Sequence, residues 1–97
     1  MREVEKIIKK LKEVNTEIKS KYDIKEIGIF GSYVKEEQDA DSDVDILVDF
    51  FKSTTLFKFA ELENLLSDTL GKKVDLVMKK TLKPRIGKHI LDEVVYI

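Results

Sequence analysis

Hydrophobic and polar residues follow two different periods along this chain. Over Met1–Ser20 the apolar residues recur at steps of three and four, which predicts an amphipathic helix. Lysines and glutamates mix on the opposite face, which favours a solvated face over a helix lying on a membrane surface. The expected buried stripe of this helix consists of Val4, Ile7, Ile8, Leu11, Val14 and Ile18.

Three later segments predict β-strands. Ile24–Phe30 and Val44–Phe50 are short and rich in β-branched and aromatic residues, and Lys72–Met78 alternates apolar with polar positions. Gly31 ends the first of these segments. Directly after it, Ser32–Glu37 is expected to form a short helix.

A second amphipathic helix is expected between the last two strands. Thr55–Leu70 has the helical period, and Ser53 or Thr54 could cap its start, since a hydroxyl oxygen accepts from a backbone N–H in the first turn. Gly71 is well placed to end it in a left-handed turn. The expected buried stripe consists of Leu56, Phe59, Leu62, Leu66 and Leu70.

The last fifteen residues predict one more helix and a short strand. Pro84 suits the first turn of a helix over Arg85–Asp92. The apolar segment Glu93–Ile97 is expected to pack as a terminal strand. The helix is expected to turn three residues inward: Ile86, Ile90 and Leu91.

Helices that alternate with strands predict an α/β or α+β fold. The chain has 97 residues, of which 42% are hydrophobic, so residues 1–97 are expected to form a single domain. A net charge of −1 argues against a general nucleic-acid binder. Without cysteine, a membrane-span pattern or a signal-peptide pattern, a cytoplasmic protein is the simplest expectation.

Two acidic residues open the second predicted strand. Asp43 and Asp45 are two positions apart, so their side chains should point to the same side, with Cα atoms roughly 6.5–7 Å apart. Carboxylates this close repel unless they share a proton or hold a cation, and hard divalent cations prefer oxygen ligands. Residue types alone leave a second interpretation, since Asp41-Ser42-Asp43 is also typical of a turn.

Gly31 and Ser32 directly follow the first predicted strand. Glycine lets the backbone approach a ligand closely, and a helix that begins at Ser32 would offer free N–H groups to an anion. A phosphate cradle beside a carboxylate pair is typical of phosphoryl or nucleotidyl transfer. The Gly-Ser pair therefore favours a functional site over simple turn chemistry.

These two motifs together resemble the signature of the DNA polymerase beta-like nucleotidyltransferase superfamily. The stretch 31–50 is similar to its minimal nucleotidyltransferase branch, small proteins that are often paired with HEPN-domain toxins. The chain departs from the branch pattern at Tyr33, where a basic residue is common, and at Glu36, where glycine is common. It matches the pattern at Gly31, Ser32, Ser42, Asp43 and Asp45.

The resemblance implies a small mixed β-sheet with helices mainly on one face. It implies that Asp43 and Asp45 bind Mg²⁺, with two ions expected at the site, and that Gly31 and Ser32 hold the triphosphate of ATP. Asp75, in a Val-Asp-Leu context, would supply a third carboxylate from the neighbouring strand. A simpler interpretation of Asp75 is an edge-strand position or an ion pair with one of the two lysines before Val74.

The resemblance also implies a reaction and a partner. The chain would transfer AMP from ATP to a tyrosine of a cognate HEPN toxin and so act as an antitoxin. Two alternatives stay open: a non-catalytic antitoxin that neutralises its partner by binding, and nucleotidyl transfer to a small molecule such as an aminoglycoside. Converging carboxylates argue against the purely binding role, because they destabilise a protein that has no cation for them.

Overall fold

The computed structural model describes residues 2–97, which form four α-helices and four β-strands. The helices are α1 (Glu3–Tyr22), α2 (Ser32–Lys35), α3 (Leu56–Leu70) and α4 (Pro84–Glu93). The strands are β1 (Ile24–Phe30), β2 (Val44–Phe50), β3 (Val74–Met78) and β4 (Val95–Tyr96). A 3₁₀ turn, Lys79–Thr81, follows β3. The order of elements matches the order that the periodicity predicted.

The four strands form one mixed sheet in the order β3-β2-β1-β4. β1 pairs antiparallel with both β2 and β4, whereas β2 and β3 run parallel because α3 provides the crossover between them. This is the α+β architecture with a small mixed sheet that the resemblance implied.

Helices α1 and α3 cover one face of the sheet. The predicted stripe of α1 is buried or half-buried, and Leu62, Leu66 and Leu70 of α3 pack on the same core. Burying each such side chain stabilises the fold by about 1.5–3 kcal/mol before entropy is counted. Within residues 2–97, none of the helices combines the length and apolarity of a membrane span.

The start of α3 differs from the prediction. Thr55 is its N-cap, with Oγ1 accepting from the Lys58 N–H at 3.1 Å, so neither Ser53 nor Thr54 has this role. Leu56 is 84% exposed instead of buried. It is the first residue of the helix and lines an open groove with Leu76 and Met78 of β3, so it stays accessible to solvent.

Helix α4 also differs from the prediction, because two of its three expected inward residues face solvent. Ile86 is 58% exposed and Leu91 42%, while Ile90 is half-buried. The buried position is Gly87, where an added Cβ would lie 3.1 Å from Cβ of Leu82. Helix α4 therefore contacts the rest of the chain at Gly87, its smallest residue, and its larger apolar side chains are left more exposed.

The outer edge of the sheet at β3 is closed by side chains. The Val74 N–H donates to Oγ of Ser67 at 3.0 Å, and the Leu76 N–H donates to Oε2 of Glu63 at 2.9 Å. At the end of the strand, Oγ1 of Thr81 donates to the Met78 carbonyl at 2.9 Å. Helix α3 thus satisfies edge amides that would otherwise be free to pair with another strand.

Candidate functional site

The two acidic residues of the sequence motif lie at the start of β2. Asp43 immediately precedes the strand and Asp45 is its second residue; both are half-buried. Alternate residues of β2 enter the core under α1 and α3, so Asp45 points to the opposite face of the sheet. The Val44 N–H donates to the Lys73 carbonyl at 2.8 Å, which ties this end of β2 to the start of β3.

The turn before Asp43 is held by other residues. Oγ of Ser42 accepts from the Asp39 N–H at 2.9 Å, and Oδ1 of Asp39 accepts from the Asp41 N–H at 2.9 Å. Turn chemistry therefore accounts for Asp39 and Ser42. Among the described residues, no hydrogen bond or ion pair uses the Asp43 carboxylate, so the turn gives no reason for an acidic residue there.

Gly31 lies against the Asp45 carboxylate. Phe30 and Asp45 are register partners, so the corner that follows β1 falls directly beside Asp45. The φ angle of Gly31 is +80° and its ψ is −150°, a conformation essentially limited to glycine. A Cβ built at Gly31 would overlap Oδ2 of Asp45. Only a glycine lets the backbone of this corner approach the carboxylate so closely.

Ser32 begins α2, which is a single turn of four residues. Any anion held at this corner would therefore depend on local backbone groups and on the serine hydroxyl, since so short a helix has little dipole of its own. Tyr33 is buried, and its hydroxyl points at the Ser42 carbonyl at 3.5 Å. Tyr33 thus packs the corner against the loop that carries Asp43.

Asp75 is the register partner of Asp45 on the parallel strand β3. Paired residues of neighbouring strands present their side chains on the same face, so the two carboxylates face the same side. β3 is an edge strand and Asp75 is exposed, so the simpler edge interpretation describes its position correctly. Within residues 2–97, neither Lys72 nor Lys73 forms an ion pair with it.

The electrostatics of Asp45 reflect these neighbours. Burial, followed by the negative charges of Asp75, Asp43 and Glu93, raises the pKa of the Asp45 carboxyl to about 6. No lysine or arginine forms an ion pair with any of the three aspartates in the described part of the chain. The site therefore carries uncompensated negative charge at neutral pH.

We expect Asp45→Asn to stabilise the metal-free protein at neutral pH. A carboxyl whose pKa is raised on folding contributes stability below its unfolded pKa, near 3.8, and loses it as the pH rises through about 6. After allowance for solvent screening, the free energy of unfolding at pH 7.5 should rise by about 1 kcal/mol in the variant. Urea titrations in EDTA at pH 4 and pH 7.5 measure this.

The gain should be close to zero at pH 4, where Asp45 is protonated in the folded protein. Asp41→Asn is the control, because Asp41 is an exposed carboxylate in the preceding turn. A gain of the same size at both pH values, or an equal gain in the control, would contradict the electrostatic explanation.

The donor set fits a magnesium ion. Aspartate oxygens are the ligands that Mg²⁺ prefers, and within residues 2–97 no lysine or arginine forms an ion pair with Asp43, Asp45 or Asp75. Within residues 2–97, no three acidic, histidine or cysteine side chains form a complete metal cage. Mg²⁺ is usually bound by one or two carboxylates together with substrate phosphates and water.

Two further charged residues border the site, and the motif analysis did not identify them. Lys35 ends α2, and its Nζ lies 3.3 Å from Oε2 of Glu93 at the end of α4. The lysine follows the Gly-Ser pair closely enough for its charge to be a usable sequence signal. Glu93 gave no such signal, because only the tertiary fold brings α4 to this place.

Comparisons with known proteins agree with this geometry. A family model for the nucleotidyltransferase domain matches residues 11–97. The chain is 54% identical over 81 residues to the protein adenylyltransferase MntA of Thermococcus cleftensis, covering 84% of this chain and 82% of that protein.

Solved structures show the same architecture. A minimal nucleotidyltransferase has a TM-score of 0.79 at 29% identity, covering 98% of this chain and 95% of that chain. A toxin–antitoxin structure with AMP-PNP has a TM-score of 0.70 at 26% identity, covering 99% of this chain and 72% of that chain.

Proposed function

The chain belongs to the nucleotidyltransferase domain family, and we propose that it transfers AMP from ATP to a tyrosine hydroxyl of a HEPN-domain toxin, thereby acting as an antitoxin. Similarity to MntA supports a protein as the acceptor, and similarity to a toxin–antitoxin structure with AMP-PNP supports ATP as the donor. We propose further that residues 1–97 act as one nucleotidyltransferase domain, and that the reaction takes place in the cytoplasm.

One observation carries the proposal. The Gly31 backbone abuts the Asp45 carboxylate, and Asp45 faces Asp75 across the parallel pair of strands. A backbone corner that can receive phosphate thus lies directly beside acidic side chains that need a cation. An ATP molecule with Mg²⁺ supplies both missing partners, the phosphates for the corner and the positive charge for the carboxylates.

Each residue of the site has a proposed role. Asp43, Asp45 and Asp75 would hold two Mg²⁺ ions, with Asp75 completing the second position, and Gly31 and Ser32 would hold the β- and γ-phosphates. When bound, Mg²⁺ neutralises the triphosphate and stabilises the charge that develops during transfer. The three carboxylates would set the position of these ions, and the Gly31-Ser32 corner would orient the triphosphate toward the incoming hydroxyl.

In the proposed transfer, one bond to the α-phosphorus forms and another breaks. The tyrosine oxygen forms a bond to the α-phosphorus while the bond from that phosphorus to the bridging oxygen of the β-phosphate breaks. Pyrophosphate leaves with the electron pair. The phenolic proton passes to a carboxylate, for which Asp75 is the best placed because it is the most exposed of the three.

The direct test uses purified protein, Mg²⁺, a HEPN toxin of the MntA–HepT type, and ATP labelled on either the α- or the γ-phosphate. We expect the α-label to appear on the toxin and the γ-label to appear in pyrophosphate. The intact mass of the toxin should increase by whole AMP units, and a toxin with its acceptor tyrosine changed to phenylalanine should take up none.

Other results would separate the alternatives. A stable complex that silences the toxin without label would overturn transfer in favour of a binding antitoxin. Transfer of the γ-label would indicate a kinase. Label on an added aminoglycoside but not on the toxin would indicate small-molecule transfer.

A further inference from the structure

The segment between β3 and β4 crosses the face of the sheet that carries the carboxylates. β3 and β4 form opposite edges of the sheet, while α1 and α3 occupy the other face. Immediately after β3, Nζ of Lys79 lies 3.0 Å from Oε2 of Glu26 on β1 and 5.8 Å from the ring centroid of Tyr96 on β4. The crossing then continues through α4, which ends at Glu93.

The position of Glu93 is fixed by the residue that follows it. A Cβ built at Gly28 of β1 would lie 2.7 Å from Cγ2 of Val94, so the Val94 side chain fills the space that the glycine leaves. The next residue, Val95, pairs with Ile29 in the sheet. The end of α4 is therefore anchored on the central strands close to the site.

From this anchor, Glu93 reaches two parts of the site. Its carboxylate pairs with Lys35 at 3.3 Å, and its side chain is 22% exposed whereas that of Lys35 is 52% exposed. Its charge is also among those that raise the pKa of Asp45. Glu93 thus links the helix that follows the Gly-Ser corner to the face that carries the three aspartates.

We propose that Glu93 is a positioning residue that holds Lys35 beside the phosphate corner and releases it to the triphosphate when nucleotide binds. This inference rests on the proposed function, because it assumes that the corner receives a triphosphate. A lysine ammonium on a flexible stem can exchange one anionic partner for another without movement of the backbone. Glu93 therefore competes with the nucleotide for one positive charge.

The exchange has a measurable consequence for affinity. Glu93→Gln removes the competitor and one negative charge that faces the polyphosphate, so AMP-PNP should bind more tightly in EDTA. We expect Kd to fall by about threefold to fivefold, the size typical of a half-exposed ion pair. Lys35→Gln should weaken binding. Calorimetric titration measures Kd directly and needs no turnover.

The double variant tests whether the effect passes through the lysine. If it does, Glu93→Gln should change Kd very little in a Lys35→Gln background. Asp92→Asn is the matched control, because it removes the same charge from an exposed neighbouring position on the same helix. Adenosine, which lacks phosphates, should bind equally to the wild type and to every variant.

Several outcomes would overturn the proposal. An unchanged or weaker Kd in Glu93→Gln, a gain that persists without Lys35, or an equal gain in Asp92→Asn would each do so. Should Glu93→Gln melt at a much lower temperature, Glu93→Asp gives an independent test, because it keeps the charge but shortens its reach to Lys35.

Failure of the proposed function gives a different pattern. If the wild-type protein binds AMP-PNP but transfers no AMP, the proposed transferase activity is wrong. The effect of Glu93→Gln on the Kd for AMP-PNP can still be measured and still tests the role of Glu93. A wild-type protein that binds no AMP-PNP, with or without Mg²⁺, overturns both.

Discussion

Asp43→Asn and Asp45→Asn should each reduce AMP transfer by roughly a thousandfold or more. Each substitution removes a negative charge that would hold Mg²⁺ together with the triphosphate. Such a metal contributes several kcal/mol to stabilisation of the transition state, and about 1.4 kcal/mol corresponds to a factor of ten in rate. Both asparagines keep the size and shape of the side chain, so the fold should survive. Single-turnover labelling of the toxin measures the rate of the chemical step.

Asp41→Asn is the control, because Asp41 lies in the same turn and is exposed. Its rate should stay within about twofold of the wild type, since the charge of an exposed side chain is strongly screened by solvent. Binding of the toxin by all three variants should be unchanged. Near-wild-type labelling by Asp43→Asn or Asp45→Asn would remove the carboxylates from the mechanism.

Gly31→Ala should lower both stability and activity. The φ angle of +80° with ψ near −150° disfavours any side chain, and the added methyl group overlaps the Asp45 carboxylate. We expect the free energy of unfolding to fall by about 2–4 kcal/mol, because backbone strain and a steric clash add together. Transfer should fall by roughly a hundredfold, since even a small displacement of Asp45 misplaces the reacting groups.

Gly71→Ala separates the two causes. Gly71 also has a positive φ angle, +65°, but an added Cβ would find no atom within 4 Å. It should lower the free energy of unfolding by only about 1 kcal/mol and leave transfer unchanged. Urea denaturation and labelling of both variants give the comparison. Equal losses of activity would show that Gly31 has no special relation to Asp45.

Much of the fold could be predicted because burial imposes its period on the sequence. The stripe of α1 and the central strands have many apolar residues at regular steps, and the structure places them in one core. The parallel pairing of Val44–Phe50 with Val74–Met78 was not predicted, because periodicity identifies strands without giving their neighbours in the sheet. Periodicity is a strong signal where an element has one buried and one exposed face.

The predicted burial of Leu56 in α3 and of Ile86 and Leu91 in α4 was wrong, for a physical reason. Leu56 fits the stripe of α3 in sequence, but it lies at an open groove beside the edge strand β3, where no further element covers it. In α4, the apolar residues have a helical period, yet contact is made through Gly87. Periodicity shows which residues share a side and does not show what that side contacts.

Some residues of the candidate site could likewise be predicted from the sequence, and others could not. Gly31, Ser32, Asp43 and Asp45 lie within fifteen residues, so a local motif was enough to select them. Asp75 was selected through the family resemblance, from its Val-Asp-Leu context, because its position beside Asp45 depends on the pairing of two strands. The ion pair of Lys35 and Glu93 joins residues that are far apart in sequence. Its prediction would have required the path of α4 across the sheet.

The closed edge at β3 limits how this protein can meet other molecules. Ser67 and Glu63 occupy the Val74 and Leu76 amides, so a strand from another chain would have to displace both side chains before it could extend the sheet. Recognition of a partner on this side must then depend on the shape and charge of side chains. Since an open strand edge is where identical chains pair and aggregate, the same two hydrogen bonds reduce the backbone available for edge-to-edge association.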